Sequence, residues 1–426
     1  MSHSEYQMLL SGLIFVIAYI LIIAEKFDRT VVALSGASLM LLVKIFSQET
    51  GFKEIDLNTI GLLISMMIIV SITKRSGLFE YIAIKTVKIA KGEPVYIIIF
   101  LSLITGILSS LLDNVTTILL VLPITLSVAK DLQINPVPFI FSEIFASNVG
   151  GTATLIGDPP NIMIGSSVGL TFIDFLKNEA VIIFPMLFLT TYIFVLIYKK
   201  KLVANNEVKA KIMLMDENES IKDSKILVKS LFVLGLTILG FILHGTLHYE
   251  SATIAISGAV LLLLISGVKP EKILHEVEWK TIFFFVGLFI MVGAIKETGI
   301  IKMLAVGVLD LTKGDLVLTT IAILWVSAIA SAFIDNIPFV ATMIPLIKDL
   351  GALSGINLSP LWWALSLGAC LGGNGTIIGA SANVIATGMA EEHGHKISFT
   401  KYFKIAFPVM LVTIVISNVY LYLRYL

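Results

Sequence analysis

The sequence predicts an all-α integral membrane protein made of two inverted five-span repeats, each holding a re-entrant hairpin and a broken helix. Three observations predict it. Hydrophobic residues make up 57% of the 426 residues and charged ones 14%, against about a quarter charged in soluble domains, and the mean hydropathy is +0.96. Apolar stretches of about 20 residues, enough for a helix to cross about 30 Å of hydrocarbon, follow one another without an extended soluble segment. A single shift of 222 residues superposes the halves: "DNVTTILLVLP" from Asp113 falls on "DNIPFVATMIP" from Asp335, and 12 of the 49 positions from Asp113 to Asn161 are identical. Chance gives about one in sixteen, so the chain is a tandem duplication.

The first apolar stretch, Gln7 to Ala24, has no Lys or Arg before it and Lys26 and Arg29 after it, so it reads as an uncleaved first span rather than a secretory signal. Spans follow near residues 28–46 and 56–74, then an amphipathic stretch near 77–91, an apolar hairpin near 94–130, a Gly-interrupted span near 136–168 and a last span near 178–199. The same shift carries Gly36, Thr59, Lys74, Gly77 and Gly92 onto Gly258, Thr281, Lys296, Gly299 and Gly314, so the second half repeats this order from about 229 to 422. A hairpin that enters and leaves on one face leaves five crossings per half, and an odd number sets the halves facing opposite ways. Such inverted repeats with discontinuous helices place a binding site near the membrane midplane.

Orientation follows from the basic residues. Placing the Lys199–Lys229 linker in the cytoplasm puts 22 of the 30 Lys and Arg inside and 8 outside, and 14 against 8 without the linker's eight; basic residues favour the inside. Both termini are then extracytoplasmic, the first hairpin opens from the cytoplasm, and the second opens from the opposite face. The return arm Ile337 to Ile347 is 11 residues, about 16 Å of helix and too short to cross, whereas the outgoing arms, at about 19 residues, could cross. The linker reads as a solvated connector with a short amphipathic portion.

The chemistry lies at the hairpin tips and the breaks. A carboxylate at the bilayer centre costs about 2.5–3.5 kcal/mol or more, yet Asp113-Asn114 and Asp335-Asn336 occupy equivalent tips. Each Asp can cap its return helix, and Thr116 in one tip and Pro338 in the other suit a helix start; each can equally supply half of an ion site, with sodium expected at Asp113, Asn114, Asp335 and Asn336. The breaks are "SNVGGTATLIGDPPN" and "ACLGGNGTIIGASAN". Their pairs Gly150-Gly151 and Gly372-Gly373 cannot sustain a lipid-facing helix, and exposed backbone is tolerated only beside protein or water. An unwound span offers carbonyls from its first half and N–H groups from its second, with Thr152, Thr154, Asn374 and Thr376 placed to add ligands and Asn161 and Asn383 completing the motifs. Close helix packing explains the glycines equally well.

The halves differ where Asp158-Pro159-Pro160 faces Ala380-Ser381-Ala382 and Glu143 faces Leu365. Glu143 lies about 10 Å into its span and is a candidate proton site. Asp113, Glu143, Asp158 and Asp335 form an acid excess without Lys or Arg in the tips or breaks, which favours a cation or proton. His244, His248, Trp362 and Trp363 are expected at the membrane interface. Cys370, the only cysteine, permits no intramolecular disulfide and reads as a small packing residue. Zero net charge argues against a nucleic-acid partner, and HExxH and P-loop motifs are absent, which argues against an enzyme.

"LLDNVTTILLVLP", "SNVGGTATLIGDPPN", "FIDNIPFVATMIP" and "ACLGGNGTIIGASANV" resemble the ArsB/NhaD permeases of the ion transporter superfamily, the melanosomal P proteins among them, and more distantly the divalent anion/sodium symporters. The resemblance covers nearly the whole chain. It implies scaffold spans over 7–91 and 229–313, hairpin and broken-helix transport units over 94–199 and 315–422, a linker over 201–228, elevator motion and a homodimer. Where the dicarboxylate symporters resemble one another in a Ser-Asn-Thr tip, this chain keeps the Asn and has Asp113 and Asp335 for the Ser, and a fixed negative charge repels a dianion unless it is protonated or paired with sodium. The leading expectation is therefore a sodium/proton antiport-like secondary transporter of the prokaryotic inner membrane, needing no cofactor beyond sodium. A sodium-coupled symporter of a small anion or a di- or tricarboxylate such as citrate comes second, and proton-driven arsenite efflux third. Two hairpins opening from opposite faces disfavour a continuous channel.

Overall fold

Seven consecutive helices in the first half begin 222 residues before their counterparts in the second. In a computed structural model describing residues 3–24, 26–205, 208–209, 213 and 216–426, we number the eighteen longer helices in chain order. The first half holds α1 (His3–Ile23), α2 (Arg29–Leu42), α3 (Leu57–Lys74), α4 (Leu78–Ile89), α5 (Pro94–Leu111), α6 (Asn114–Asp131), α7 (Val137–Thr152), α8 (Pro159–Val168) and α9 (Val181–Tyr198). The second holds α10 (Ser224–Leu247), α11 (Ser251–Ser266), α12 (Trp279–Glu297), α13 (Ile300–Thr312), α14 (Leu316–Phe333), α15 (Asn336–Ser354), α16 (Ser359–Gly372), α17 (Ser381–Glu392) and α18 (Phe399–Tyr425). Helices α2 to α8 start 222 residues before α11 to α17. The punctuation repeats too: Gly77 and Gly299, at φ 83° and 82°, open α4 and α13, a left-handed turn that glycine enters without steric cost. Among the described residues the secondary structure is helical, with no strand. The linker portion at 206, 207, 210–212, 214 and 215 lies outside the described residues.

Among the described residues ten helical segments are long and apolar enough to cross a membrane, and this is a multi-pass integral membrane protein. They are not the ten spans expected, because the four hairpin arms qualify, while α2, with 14 residues, α11, with 16, and the two broken spans, α7–α8 and α16–α17, do not. The expected 28–46 span shortens because Leu42 is followed by a tight turn in which Lys44 sits at φ 56°. The expectation of a short second return arm is overturned. α15 runs 19 residues with Pro345 inside it and carries Lys348 and Asp349 in its last turns, so apolarity understated the helix and length gives no argument for re-entrance.

The halves interlock. α3 packs on α11 and α2 on α12, while α5 with α7 and α14 with α16 form a second body, tied by α6 against α17 and α8 against α15. Polar contacts sort the helix ends into two groups. At one end Lys222 N donates to Ser76 O at 3.0 Å, Lys209 pairs with Glu93 at 2.8 Å, and Arg75 pairs with Glu276. At the other, Ser11 meets Thr298 at 3.0 Å, Lys296 pairs with Glu54 at 3.0 Å, and Lys348 Nζ donates to Ser167 O at 2.7 Å. α5 therefore starts at the linker end, and α15 finishes at the opposite end.

Every residue of α7 is buried, as is every residue of α16 from Pro360 to Gly372. This places Trp362 and Trp363 inside rather than in an interfacial belt: they are 5% and 2% exposed, and Trp363 packs edge-on to Phe175 at 5.3 Å. His244 is buried as well, donating from Nδ1 to Tyr249 O at 3.0 Å and accepting Phe172 N–H at Nε2, 3.2 Å away.

Candidate ion-binding site

The two hairpin tips meet. A cavity of about 60 Å³ is lined by Asp113 and Asn114 of the first tip, Asn336 of the second, Asp158 of the first break, and Arg29 and Glu278 from the starts of α2 and α12. Arg29 and Ser381 also border a vestibule of about 290 Å³, which Asp335 lines.

The carboxylates in this region have unequal commitments. Asp113 caps α6, its Oδ1 accepting from Thr116 N at 2.7 Å and its Oδ2 from Thr116 Oγ1 at 2.5 Å. Asp335 caps α15 through Ile337 N at 3.0 Å, and its other oxygen accepts from Arg29 Nη1 at 2.7 Å and Ser381 Oγ at 3.0 Å. Asp158 has no such occupation. It precedes α8, but Pro159 and Pro160 at the first two helical positions provide no N–H for its side chain, and it makes no side-chain cap. It is 1% exposed, and Asn336 Nδ2 approaches both its oxygens only at 3.4 Å. A buried carboxylate so weakly held is the group there best able to take a cation or a proton.

Four asparagines join the halves behind this cavity. Asn148 Oδ1 accepts from Asn114 Nδ2 at 3.2 Å, and Asn148 Nδ2 donates to Asn374 Oδ1 at 3.0 Å and to Asn383 Oδ1 at 2.8 Å. Asn383 and Asn161 repeat one task, bridging carbonyls of their own breaks: Asn383 Nδ2 donates to Gly373 O and Thr376 O, both at 2.8 Å, and Asn161 Nδ2 to Thr152 O at 3.0 Å and Thr154 O at 2.9 Å. Asn374 Nδ2 is buried and has no partner among the described residues.

The remaining expected residues lie elsewhere. Thr152 Oγ1 donates to Asn148 O at 2.8 Å, Thr154 Oγ1 to Ser110 O at 2.5 Å, and Thr376 Oγ1 to Ala332 O, so these hydroxyls fasten the breaks to helix backbone. The glycines permit backbone contact. A Cβ on Gly150 would stand 2.0 Å from Gly106 O, and one on Gly372 would stand 2.5 Å from Ala328 O; one on Gly151 would stand 2.6 Å from Gly157 O, and one on Gly373 3.0 Å from Gly379 O. Glu143 is buried away from the cavity, accepting from Thr125 Oγ1 at 2.6 Å. Among the described residues no cluster of three His, Cys, Asp or Glu side chains is arranged for a metal.

Sequence reasoning missed Arg29, Asn148, Glu278 and Glu179. Arg29 reads as a flanking charge because it follows Glu25, Lys26 and Asp28 at the start of an apolar run. Asn148 sits inside the quoted "SNVGG", but its counterpart is Cys370, so a search for matched pairs passes over it. Glu179 opened a span and read as its boundary.

Interlocked helix repeats, two hairpin tips converging in the interior and buried polar breaks define a multi-pass membrane transporter. The citrate transporter (CitMHS) family model matches residues 19–368, and the chain belongs to that family, within the ion transporter superfamily. It is 44% identical over 421 residues to an uncharacterized transporter of Mycobacterium tuberculosis, covering 97% of each chain. It is 35% identical to the P protein of Sus scrofa, over 98% of this chain and 59% of that one. It shares its fold with the Alcanivorax borkumensis YdaH transporter, with a TM-score of 0.58 over 91% of this chain and 90% of that one at 14% identity.

Proposed function

We propose that this protein is a secondary active transporter that exchanges a cation, sodium, for protons at Asp158 by alternating access. The observation that carries the reading is the uncapped, buried Asp158 carboxylate in the cavity between the two hairpin tips. Asp113 and Glu278 add negative charge to the same cavity, while Arg29 is engaged by Asp335. At about 60 Å³, against the about 10–15 Å³ that one water needs, the space suits a cation with a few waters and is small for a tricarboxylate. Cation and proton then compete for one carboxylate.

The membrane arrangement follows from the same geometry. α5 starts at the linker end and α15 finishes at the other; hairpins that crossed the bilayer fully would carry their tips to opposite faces, about 30 Å apart. Their shared cavity therefore supports re-entrant hairpins, inverted halves over 1–200 and 229–426, and a site near the midplane. The interlocked α2–α3 and α11–α12 layer is the scaffold, with dimerisation through it, and the hairpins with the broken helices are the moving body. The linker faces the cytoplasm of a bacterial inner membrane, both termini lie outside, and the partners are a small ion, membrane lipid and a second copy.

Reconstitution tests this reading. Sodium added outside vesicles with a trapped pH probe is expected to change the internal pH across about pH 6 to 9, and Asp158→Asn is expected to abolish the response. A wild type silent across that range overturns it. A second reading, sodium-coupled symport of citrate or a similar carboxylate, is favoured by the matched family's description and by the vestibule of about 290 Å³ beside Arg29, whose guanidinium would exchange Asp335 for a substrate carboxylate. Sodium-dependent uptake of labelled citrate, lost in Arg29→Ala, would establish it in place of exchange.

A further inference from the structure

A buried carboxylate outside the cavity is tied to Asp158 by a chain of polar groups. Glu179 is 0% exposed and its Oε1 has no partner among the described residues. Its Oε2 meets Asn161 Nδ2 at 3.4 Å, an amide that already serves two backbone carbonyls at 3.0 and 2.9 Å, and the Ser366 hydroxyl faces the same carboxyl. The Asn161 amide oxygen accepts from Ser366 Oγ at 2.6 Å and from the Cys370 thiol at 3.5 Å. Cys370 in turn borders Asp158, so Asn161, Ser366 and Cys370 fill the space between the two acids.

The local backbone is built to deliver this side chain. Leu176–Ala180 form a π-helical turn between Phe172–Phe175 and α9, and such turns re-aim side chains, often at functional sites. The counterpart of Glu179 in the second half is Lys401, exposed on the uninterrupted α18. The first half alone thus turns a carboxyl inward. The other titratable or charged groups facing Glu179 are Asp158, Cys370 of α16, and Tyr420 and Tyr425 of α18, with Arg424 engaged at Lys177 O, 2.8 Å away. None of them gives the carboxylate a cation.

We propose that Glu179 is the transporter's second proton-binding site and exchanges its proton against the ion held at Asp158. This deepens the cation–proton reading and rests on it. Two carboxylates in one dry compartment cannot both ionise without a compensating charge. With Asp158 empty and ionised, Glu179 keeps its proton. A cation on Asp158 cancels that charge, and Glu179 then releases its proton to water at the Lys177–Asn178 end. Departure of the cation draws the proton back. The step moves one proton and breaks no other bond.

The test compares Glu179→Gln, which keeps the shape of the neutral acid, with Asp158→Asn, both as full-length protein, using sodium chloride as probe and choline chloride as control. Glu179→Gln is expected to keep sodium-induced thermal stabilisation, to weaken the pH dependence of its midpoint to the part that competition at Asp158 supplies, and to lower sodium-driven proton flux at least about tenfold. Infrared difference spectra of the wild type on adding sodium are expected to show a protonated-carboxyl band disappear, and that band should be missing in Glu179→Gln. If Glu179→Gln fails to fold, Glu179→Asp decides: a shift of part of that band supports the proposal, and a band identical to the wild type's overturns it. Glu179→Gln with wild-type flux and pH dependence overturns the proposal alone. Sodium stabilisation that survives in Asp158→Asn, or is absent from the wild type, overturns the reading beneath it.

Discussion

Asn148→Ala should separate the two halves of the site without touching a charge. The substitution removes the contact from Asn114 at 3.2 Å and those to Asn374 at 3.0 Å and Asn383 at 2.8 Å. A buried hydrogen bond contributes about 0.5–1.5 kcal/mol net, and one between membrane helices averages about 0.6. Three bonds therefore put the loss at about 2–4 kcal/mol, toward the upper figure because Asn114, Asn374 and Asn383 are each nearly or fully buried and cannot turn to water. The assay is equilibrium unfolding in mixed micelles, with Cys370→Ala as the control supplied by the repeat. Cys370 occupies the position equivalent to Asn148 and offers only a weak thiol donor, to Asn161 at 3.5 Å and beside Asp158, so its loss should cost about 1 kcal/mol or less. An Asn148→Ala protein within about 0.5 kcal/mol of wild type would refute the claim that this asparagine ties the two breaks together.

Gly150→Ala and Gly372→Ala each drive a Cβ into backbone and should cost upward of about 3 kcal/mol, read as loss of monodisperse protein on gel filtration. Gly388→Ala, in α17 with nothing within 4 Å of the new methyl, should be neutral or gain up to about 1 kcal/mol from helix propensity. A double-mutant cycle between Arg29→Ala and Asp335→Asn should return a coupling of about 1–2 kcal/mol, less than a fully buried pair gives because Arg29's side chain is 33% exposed; additivity would mean the pair contributes nothing. In the linker, the Lys88 ammonium bonded to Glu217 holds that carboxyl below the usual carboxylate range. Stability from this pair is present above the unfolded carboxyl's range and is lost as pH falls through the lowered value. Limited proteolysis of the linker should accelerate on acidification, and Glu217→Gln should remove that dependence.

Much of the architecture was legible because it is written twice. The 222-residue register reaches individual helix starts, from Arg29 and Ser251 to Pro159 and Ser381, and the hairpin tips fall at the two Asp-Asn pairs. What was not legible came from asymmetry and from tertiary contact. The glycine pairs allow either an open ion site or close packing; only the position of Gly106 and Ala328 against them decides for packing. The second return arm was undercounted because Lys348 and Asp349 end the apolar run but not the helix. The acids differ in their partners for a local reason: Asp113 finds N–H and hydroxyl donors at Thr116, and Asp335 finds Arg29 from a distant helix, whereas after Asp158 two prolines offer no N–H and Asn161 N–H is taken by the main-chain carbonyl. The Asp-Pro-Pro pattern contained part of that signal, since the prolines remove the first two N–H groups after the carboxylate; the third, Asn161 N–H, goes to the Asp158 carbonyl at 3.0 Å. Arg29 and Asn148 carried no comparable signal, because each is defined by partners hundreds of positions away.

The most direct measurement is sodium–proton exchange in proteoliposomes by Asp158→Asn beside Asp113→Asn, each checked for folding by gel filtration. Exchange lost in Asp158→Asn and retained in a less stable Asp113→Asn is the predicted result. Exchange retained in Asp158→Asn, or lost only in a well-folded Asp113→Asn, would contradict an ion site centred on Asp158.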